Sequence, residues 1–226
     1  LIANPAVGYA SDLLVRAGGT VILSETTEVI GAEHILAGRA VDERVGRRLL
    51  ELVREWEREV EARGIGFRGG PIQPGNVEGG LTTVAEKSLG CIYKGGSTPL
   101  REVVAYAEKP REKGLIFMDT PGQDVESITG MTAGGAQIII FTTGRGTPVG
   151  SPIAPVIKVT GNPRTYERMK DNIDVNAGEV LLGNSSIEEM GEKIYREVLE
   201  VASGKRTKAE ILGHREFAIS KIHPTT

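Results

Sequence analysis

Several continuous apolar runs occur along this chain, and most of them lie in its second half. The runs at residues 114–119, 136–142 and 155–160 do not alternate between polar and apolar side chains, and a shorter β-branched run covers residues 20–24. Strands that are apolar on both faces occur in parallel sheets that helices cover on each side. The pattern therefore predicts an α/β fold, specifically a three-layer, Rossmann-like domain with a mostly parallel sheet.

Helical periodicity is clearest between residues 42 and 64. Apolar residues from Val45 to Val60 recur there every three or four positions, Arg and Glu occupy the other face, and Asp42 is the expected N-cap. Pro99 suggests the first turn of another helix. The shorter predicted helices cover residues 11–17, 32–39, 99–108, 124–133, 163–170 and 187–202.

Glycine is in excess, with 30 residues in a chain of 226. Seven glycines and two prolines fall within residues 64–80, which predicts a long irregular loop, and loops of that length are usually functional or disordered. The chain has no internal repeat and no clear boundary between two domains. We therefore interpret residues 1–226 as one α/β domain.

Charge and cysteine content narrow the function classes. The net charge of −3 offers no electrostatic basis for binding nucleic acid or an anionic membrane, and no apolar run is long enough to span a bilayer. Cys91 is the single cysteine, which excludes an intrachain disulfide and suits a cytoplasmic protein. The first residues resemble no signal peptide and include no initiator Met, so we expect a piece of a longer chain or a processed product.

The predicted strands end in polar side chains. Glu25 and Glu28 follow the first strand, Asp119 ends the second, and Thr142, Thr143 and Arg145 follow the third. Ligands of open parallel sheets bind beyond the carboxyl ends of the strands, so these groups suit a polyhydroxylated anion, with or without a hard cation. The alternative is that they are ordinary helix caps and turn residues.

Further candidates lie outside the strand ends. Glu86 and Lys87 could form a proton donor and acceptor pair if they are partly buried, or they could be solvated surface. Lys158 sits inside an apolar strand and could face the cleft or extend out at an edge. The segment at 94–98 resembles a phosphate-binding loop loosely, but it lacks the required glycine and lysine spacing.

Several ordered blocks resemble one family of enzymes. They include Gly-Gly-Thr-Val-Ile-Leu-Ser-Glu-Thr-Thr-Glu at 18–28 and Phe-Thr-Thr-Gly-Arg-Gly at 141–146. The other blocks cover residues 31–34, 74–83, 86–90, 94–96, 119–122, 129–135 and 155–162. Together they resemble the C-terminal region of the altronate/galactarate dehydratase family, which also includes sulfolactate sulfo-lyase large subunits.

The resemblance implies a lyase that removes water across C2–C3 of a sugar acid and forms a 2-keto-3-deoxy acid. It also implies a divalent metal, Fe²⁺ first and Mn²⁺, Mg²⁺ or Ca²⁺ as alternatives. The proposed metal ligands are Glu25 and Glu28, and the proposed catalytic residues are Glu86, Lys87 and Asp119. The proposed substrate-binding residues are Thr82, Thr83, Ser88, Thr142, Thr143, Arg145 and Lys158.

A complete member of that family has N-terminal regions, in some cases on a separate small subunit, that this chain does not contain. We therefore expect the chain to be inactive alone, and a homo-oligomer is left open. The competing hypotheses are a sulfolactate sulfo-lyase subunit, a non-catalytic binding or assembly module, and a nucleotide-binding protein that uses Gly144-Arg145-Gly146. The absence of a P-loop argues against the last of these.

Overall fold

The first of the two sheets in the described residues is built around a fully buried central strand. The structure is a computed structural model that describes residues 2–62 and 82–220. Strands β1 (Thr20–Leu23), β2 (Leu100–Val104) and β3 (Gly114–Met118) form a parallel sheet in the order β1-β3-β2. Every residue of the central strand β3 is buried, as its continuous apolar run predicts.

The second sheet also has three parallel strands, but in sequential order. It contains β4 (Ile139–Thr142), β5 (Val156–Thr160) and β6 (Val175–Asn176) in the order β4-β5-β6, again all parallel. Its central strand β5 is buried throughout. The predicted α/β class with parallel strands is confirmed, and the described strands divide between two sheets.

Helix α1 (Ala3–Arg16) packs between the two sheets' helices. On one side it contacts α7 (Ile187–Ala202), where a β-carbon at Gly191 would lie only 2.6 Å from the Cβ of Tyr9. On the other side, the Nδ2 of Asn4 donates to the carbonyl of Gly90 at 2.8 Å. Helix α1 therefore links the cores that cover the two sheets.

Helix α3 (Glu43–Ala62) covers the first sheet. The Oδ1 of Asp42 accepts from the Val45 N–H at 2.9 Å, which confirms the predicted N-cap. Leu49 and Val53 are buried in a cluster that includes Phe117 of β3. The amphipathic pattern of residues 42–64 therefore identified both the helix and its buried face.

The remaining helices mostly follow the predicted pattern. Helices α2 (Glu33–Ala37), α5 (Asp124–Ala133) and α6 (Pro163–Arg168) occupy predicted segments. Helices α4 (Val84–Tyr93) and α8 (Lys208–Leu212) were not predicted. Within residues 2–62 and 82–220, every helix is too short or too polar to cross a membrane.

The helix predicted at residues 99–108 is wrong. Leu100–Val104 is an edge strand that pairs with β3, and Pro99 precedes the strand. Leu100 and Val104 are buried at 0% and 3% exposure, because pairing with β3 offers apolar side chains more burial than an isolated helical turn would. The predicted glycine-rich loop at 64–80 lies outside the described residues.

Candidate active site

The turn after β1 adopts a strained backbone conformation. Glu25 has φ +73°, in the left-handed region that side chains with a β-carbon rarely occupy. Its N–H donates to the Oγ1 of Thr120 at 2.8 Å, and the N–H of Thr26 donates to the Thr120 carbonyl at 2.9 Å. The end of β3 therefore holds the turn in place, and such maintained strain is typical of functional sites.

Two glutamates of this turn pair with Lys87 of α4 and with Lys94, which directly follows that helix. The Nζ of Lys94 lies 2.8 Å from the Oε2 of Glu25, and the Nζ of Lys87 lies 2.7 Å from the Oε2 of Glu28. The four side chains are between 18% and 31% exposed. Lys87 and Lys94 are seven residues apart, which is about two helical turns, so both face the carboxyl edge of the first sheet.

Electrostatics hold one of these lysines in its charged form. Burial opposes the charge of Lys94, but the neighbouring Cys91 sulfur and the Glu25 and Glu28 carboxylates together outweigh burial and raise the pKa of Lys94. Burial also raises the pKa of the adjacent Cys91 thiol to about 11, although Lys94 acts in the opposite direction. Near neutral pH, the site therefore presents a fixed ammonium beside a protonated thiol.

A network of hydroxyl groups and one carboxylate support the turn after β1. The Oγ of Ser127 is 3.1 Å from the Oγ of Ser24 and 2.9 Å from the Oγ1 of Thr120. The Oδ1 of Asp119 accepts from the Oγ1 of Thr26 at 2.6 Å and from the Nε1 of Trp56 at 2.8 Å. Asp119 therefore connects the Glu25 turn, through Thr26, to Trp56 of α3.

The pKa of Asp124, at the start of α5, reflects the negative charge at this edge of the sheet. Partial desolvation, followed by the carboxylates of Glu25, Glu126 and Glu28, raises the pKa of Asp124. A β-carbon at Gly122 would lie 2.6 Å from the Oγ1 of Thr27 and 3.2 Å from the Oε1 of Glu28. The loop that follows β3 thus lies directly against the Glu28 side chain.

Glu86 and Lys87 do not form the pair that the sequence suggested. The Oε2 of Glu86 accepts from the N–H and the Oγ1 of Thr82, at 2.9 and 2.8 Å, and the backbone bond is the larger cause of the lowered pKa of Glu86. Thr83 caps α4 by accepting from the Glu86 N–H at 3.1 Å. Glu86, Thr82 and Thr83 therefore form the start of the helix, whereas Lys87 reaches Glu28.

Ser88 is a buried residue of α4. It is 1% exposed, and its Oγ donates to the carbonyl of Ile30 at 2.7 Å. This hydrogen bond connects α4 to the segment that follows Glu28. Ser88 therefore secures the helix that carries Lys87.

Thr142, Thr143 and Arg145 belong to the carboxyl edge of the second sheet. There the Oγ1 of Thr143 accepts from the Gly146 N–H at 2.9 Å, and the Oγ1 of Thr165 donates to the Gly144 carbonyl at 2.8 Å. Arg145 is exposed on this turn. The structure gives these residues a turn of their own, separate from the turn that carries Glu25 and Glu28.

Lys158 lies in the core of the second sheet. Its side chain is completely buried, and its Nζ donates to the Val149 carbonyl at 3.1 Å. Burial lowers the pKa of Lys158, while Asp174 and Glu216 oppose that shift. The residue therefore neither faces a cleft nor extends out at an edge.

The described residues do not by themselves fit a divalent metal. Both predicted ligands, Glu25 and Glu28, are already paired with lysine ammonium groups. Within residues 2–62 and 82–220, no group of three or more His, Cys, Asp or Glu side chains is arranged to hold a metal ion. Hard cations require several oxygen ligands, so a metal at this edge would need further donors.

Lys94 was missed as a site residue because α4 was not predicted. Its seven-residue spacing from Lys87 would have placed both lysines on one helix face. The loop that follows Lys94 is structural, since the carboxylate of Asp12 accepts from the N–H groups of Ser97 and Thr98 at 2.8 and 3.2 Å. These backbone donors are therefore occupied by Asp12, which agrees with the lack of a phosphate-binding pattern at 94–98.

Comparison with known proteins identifies the family. The chain matches the family described as D-galactarate/Altronate dehydratase, C-terminal, over residues 1–225. The chain belongs to this family. The resemblance inferred from the sequence blocks is therefore confirmed.

Three relatives illustrate the range of the family. The chain is 45% identical to galactarate dehydratase (L-threo-forming) of Escherichia coli K12, with 99% of the chain and 43% of the relative covered. It is 38% identical to altronate dehydratase of Bacillus subtilis, covering 98% and 44%, and 38% identical to (2R)-sulfolactate sulfo-lyase subunit beta of Chromohalobacter salexigens, covering 98% and 57%. The chain thus spans about half the length of these relatives.

Proposed function

We propose that this chain is the C-terminal part of a lyase that eliminates water from a sugar acid. The observation that carries the proposal is the pair of lysine–glutamate contacts at the carboxyl edge of the first sheet. Parallel α/β sheets bind ligands at this edge. Ammonium and carboxylate groups side by side suit a ligand that combines a carboxylate with hydroxyl groups.

Elimination across C2–C3 makes two demands on the site. A base must remove the C2 proton, and the C3–oxygen bond must break as the leaving hydroxyl gains a proton, which yields an enol that becomes the 2-keto acid. Charge that develops on the substrate carboxylate needs a fixed cation nearby. Lys94 fits this stabilising role, since its raised pKa keeps the ammonium charged beside Glu25.

The Lys87–Glu28 pair is suited to move protons. It is the more exposed of the two pairs, at 31% and 22%, so a substrate can reach it. In this proposal Glu28 accepts the C2 proton and Lys87 donates to the leaving hydroxyl. Thr83, exposed at the start of α4, can donate its hydroxyl proton to a further substrate oxygen, whereas the Thr82 hydroxyl donates to Glu86 and can only accept from substrate.

Dependence on a divalent metal stays a prediction for the longer protein. The proposed steps use this chain's own residues, because Glu25 and Glu28 are held by lysines. The proposal that the chain is inactive alone is supported by its coverage of only 43% and 44% of the two dehydratases. Residues from the remaining length would complete the site.

A sulfonated substrate is the second candidate. It is favoured by the 38% identity to (2R)-sulfolactate sulfo-lyase subunit beta over 224 residues. In that case the base and the cation act as before, and the bond that breaks joins carbon to sulfur. The substrate's leaving group would then distinguish the two candidates.

Thermal unfolding of the chain with galactarate, altronate, sulfolactate and ATP, each with and without Mn²⁺, tests the proposal. A ligand at ten times its Kd adds about 1.4 kcal/mol, which raises Tm by roughly 3–6 °C for a chain of this size. We expect this shift with a sugar acid or sulfolactate, and we expect Lys87→Met to abolish it. Lys193→Met is the matched control, because it removes a surface pair with Glu179 at 3.2 Å.

Stabilisation by ATP alone, or an equal shift in Lys87→Met, would overturn the proposal. In the full-length enzyme, Lys87→Met should reduce kcat by about 100-fold or more, as expected for loss of a proton-transfer group. Glu86→Gln should retain most activity, because its amide oxygen can still accept from Thr82. Near-normal turnover by Lys87→Met would remove this residue from the mechanism.

A further inference from the structure

One carboxylate oxygen joins the Glu25 turn to the long helix α3. The Oδ1 of Asp119 accepts from the Oγ1 of Thr26 at 2.6 Å and from the Nε1 of Trp56 at 2.8 Å. We infer that Asp119 is a positioning residue that holds Glu25 in its left-handed conformation and couples the turn to Trp56. The inference deepens the proposed function, on which it rests, by assigning Asp119 a role that involves no contact with substrate.

The turn needs such support because its backbone is strained. A non-glycine residue in the left-handed region costs about 1–2 kcal/mol. Glu25 occupies this region at φ +73°, and the next residue is clamped by its N–H on the Thr120 carbonyl and its hydroxyl on Asp119. Loss of the Asp119 bond would allow the turn to relax toward an ordinary conformation.

Relaxation of the turn would move a reacting group. The Glu25 carboxylate contacts Lys94 at 2.8 Å, so rotation of its backbone separates the cation from its partner. Misplacement of a reacting group by about 1 Å can cost roughly 100-fold in rate. Asp119 therefore acts on catalysis through Thr26 and Glu25.

Trp56 provides a direct optical readout of this arrangement. It is the single tryptophan in the chain, and its indole N–H donates to the same oxygen that Thr26 uses. A change in the Asp119 carboxylate therefore alters both the turn and the environment of the single tryptophan. The emission spectrum can be recorded without any substrate.

The test compares Asp119→Asn with Asp119→Ala in the full-length enzyme. Asparagine retains an oxygen that accepts both bonds, whereas alanine removes it. We expect Asp119→Ala to lower kcat by about tenfold or more with KM within about threefold, and Asp119→Asn to stay within about threefold of wild type. Thr26→Val should reproduce the kcat loss, and Asp171→Ala, at an exposed aspartate, should have no effect.

Tryptophan emission of the chain supplies the second readout. Asp119→Ala should shift the Trp56 emission maximum, and Asp119→Asn should leave it close to wild type. If Asp119→Asn is as inactive as Asp119→Ala while its emission is unchanged, Asp119 is a catalytic acid, base or metal ligand, and the inference is overturned. If wild type itself shows no turnover, the proposed function fails, and identical emission from all Asp119 variants would still reject the positioning role.

Discussion

The Nζ of Lys94 lies 2.8 Å from the Oε2 of Glu25, although the two residues are 69 positions apart in the chain. Lys94 follows the last turn of α4, and Glu25 occupies the strained turn after β1. Both side chains are about one-fifth exposed. The contact therefore ties the first sheet to α4 and fixes a cation at the edge where substrate is proposed to bind.

Removal of either partner of this pair should destabilise the fold. Lys94→Met leaves the Glu25 carboxylate without its cation in a mostly buried site, which should cost about 2–3 kcal/mol. The double variant Lys94→Met, Glu25→Gln should recover part of that loss. Urea unfolding measures both free energies, and Lys193→Met, which removes a more exposed pair with Glu179, should change stability by less than about 1 kcal/mol.

Cys91 should be unreactive in the folded protein. Burial raises its pKa to about 11, so the thiolate that reacts with alkylating reagents is scarce at pH 8. Iodoacetamide should modify the unfolded chain at its one cysteine much faster than the native chain. Rapid native alkylation at a rate typical of free cysteine would contradict the burial of this thiol.

The same thiol makes stability depend on alkaline pH. Because the folded pKa is raised from 9.0 to about 11, its contribution is complete below pH 9 and is lost as the pH rises toward 11. The loss attributable to Cys91 should reach up to about 3 kcal/mol. Urea unfolding from pH 8 to 11 should show a smaller decline for Cys91→Ala than for wild type, and parallel declines would refute the prediction.

Lys158 should prove dispensable for ligand binding. Its Nζ donates to the Val149 carbonyl inside the second sheet's core, so Lys158→Met should leave the sugar-acid Tm shift intact. Burial disfavours the charged form of Lys158 and so lowers its pKa in the folded protein below the ordinary value of 10.5. The stability of wild type relative to Lys158→Met should therefore rise with pH up to about 10.5, as unfolding at several pH values would show.

Loss of the ligand-dependent Tm shift in a folded Lys158→Met protein would restore a substrate-binding role for this lysine. Circular dichroism provides the check that the variant remains folded. Replacement of a buried ammonium by an apolar side chain of similar length should be tolerated. The variant therefore separates a structural role from a binding role.

Two neighbouring glycines of the second sheet's edge should respond differently to alanine. Gly146 has φ +92°, and a β-carbon there would collide with the Sδ of Met169, so Gly146→Ala should cost about 2–3 kcal/mol. A β-carbon at Gly144 would meet no atom within 4 Å, so Gly144→Ala should change stability by less than about 0.5 kcal/mol. Equal Tm values for the two variants would show that this turn is not constrained as described.

The local pattern of apolar residues predicted those strands and helices whose buried positions follow a regular spacing along the chain. Continuous apolar runs identified β3 and β5, and the helical spacing that includes Leu49 identified α3. Local pattern failed at Leu100–Val104, where Pro99 suggested a helix but pairing with β3 produced a strand. Propensity over a few residues is weak compared with the burial that a sheet partner provides.

Part of the candidate site followed from strand order along the chain. Glu25, Glu28 and Asp119 were predicted at the carboxyl ends of strands, because the ends of parallel strands meet at one edge. Their partners did not follow, since Lys87 pairs with Glu28 across 59 positions and Lys94 with Glu25 across 69. Charge pairing at such separations depends on how helices pack on the sheet, and no spacing within the sequence encodes that packing.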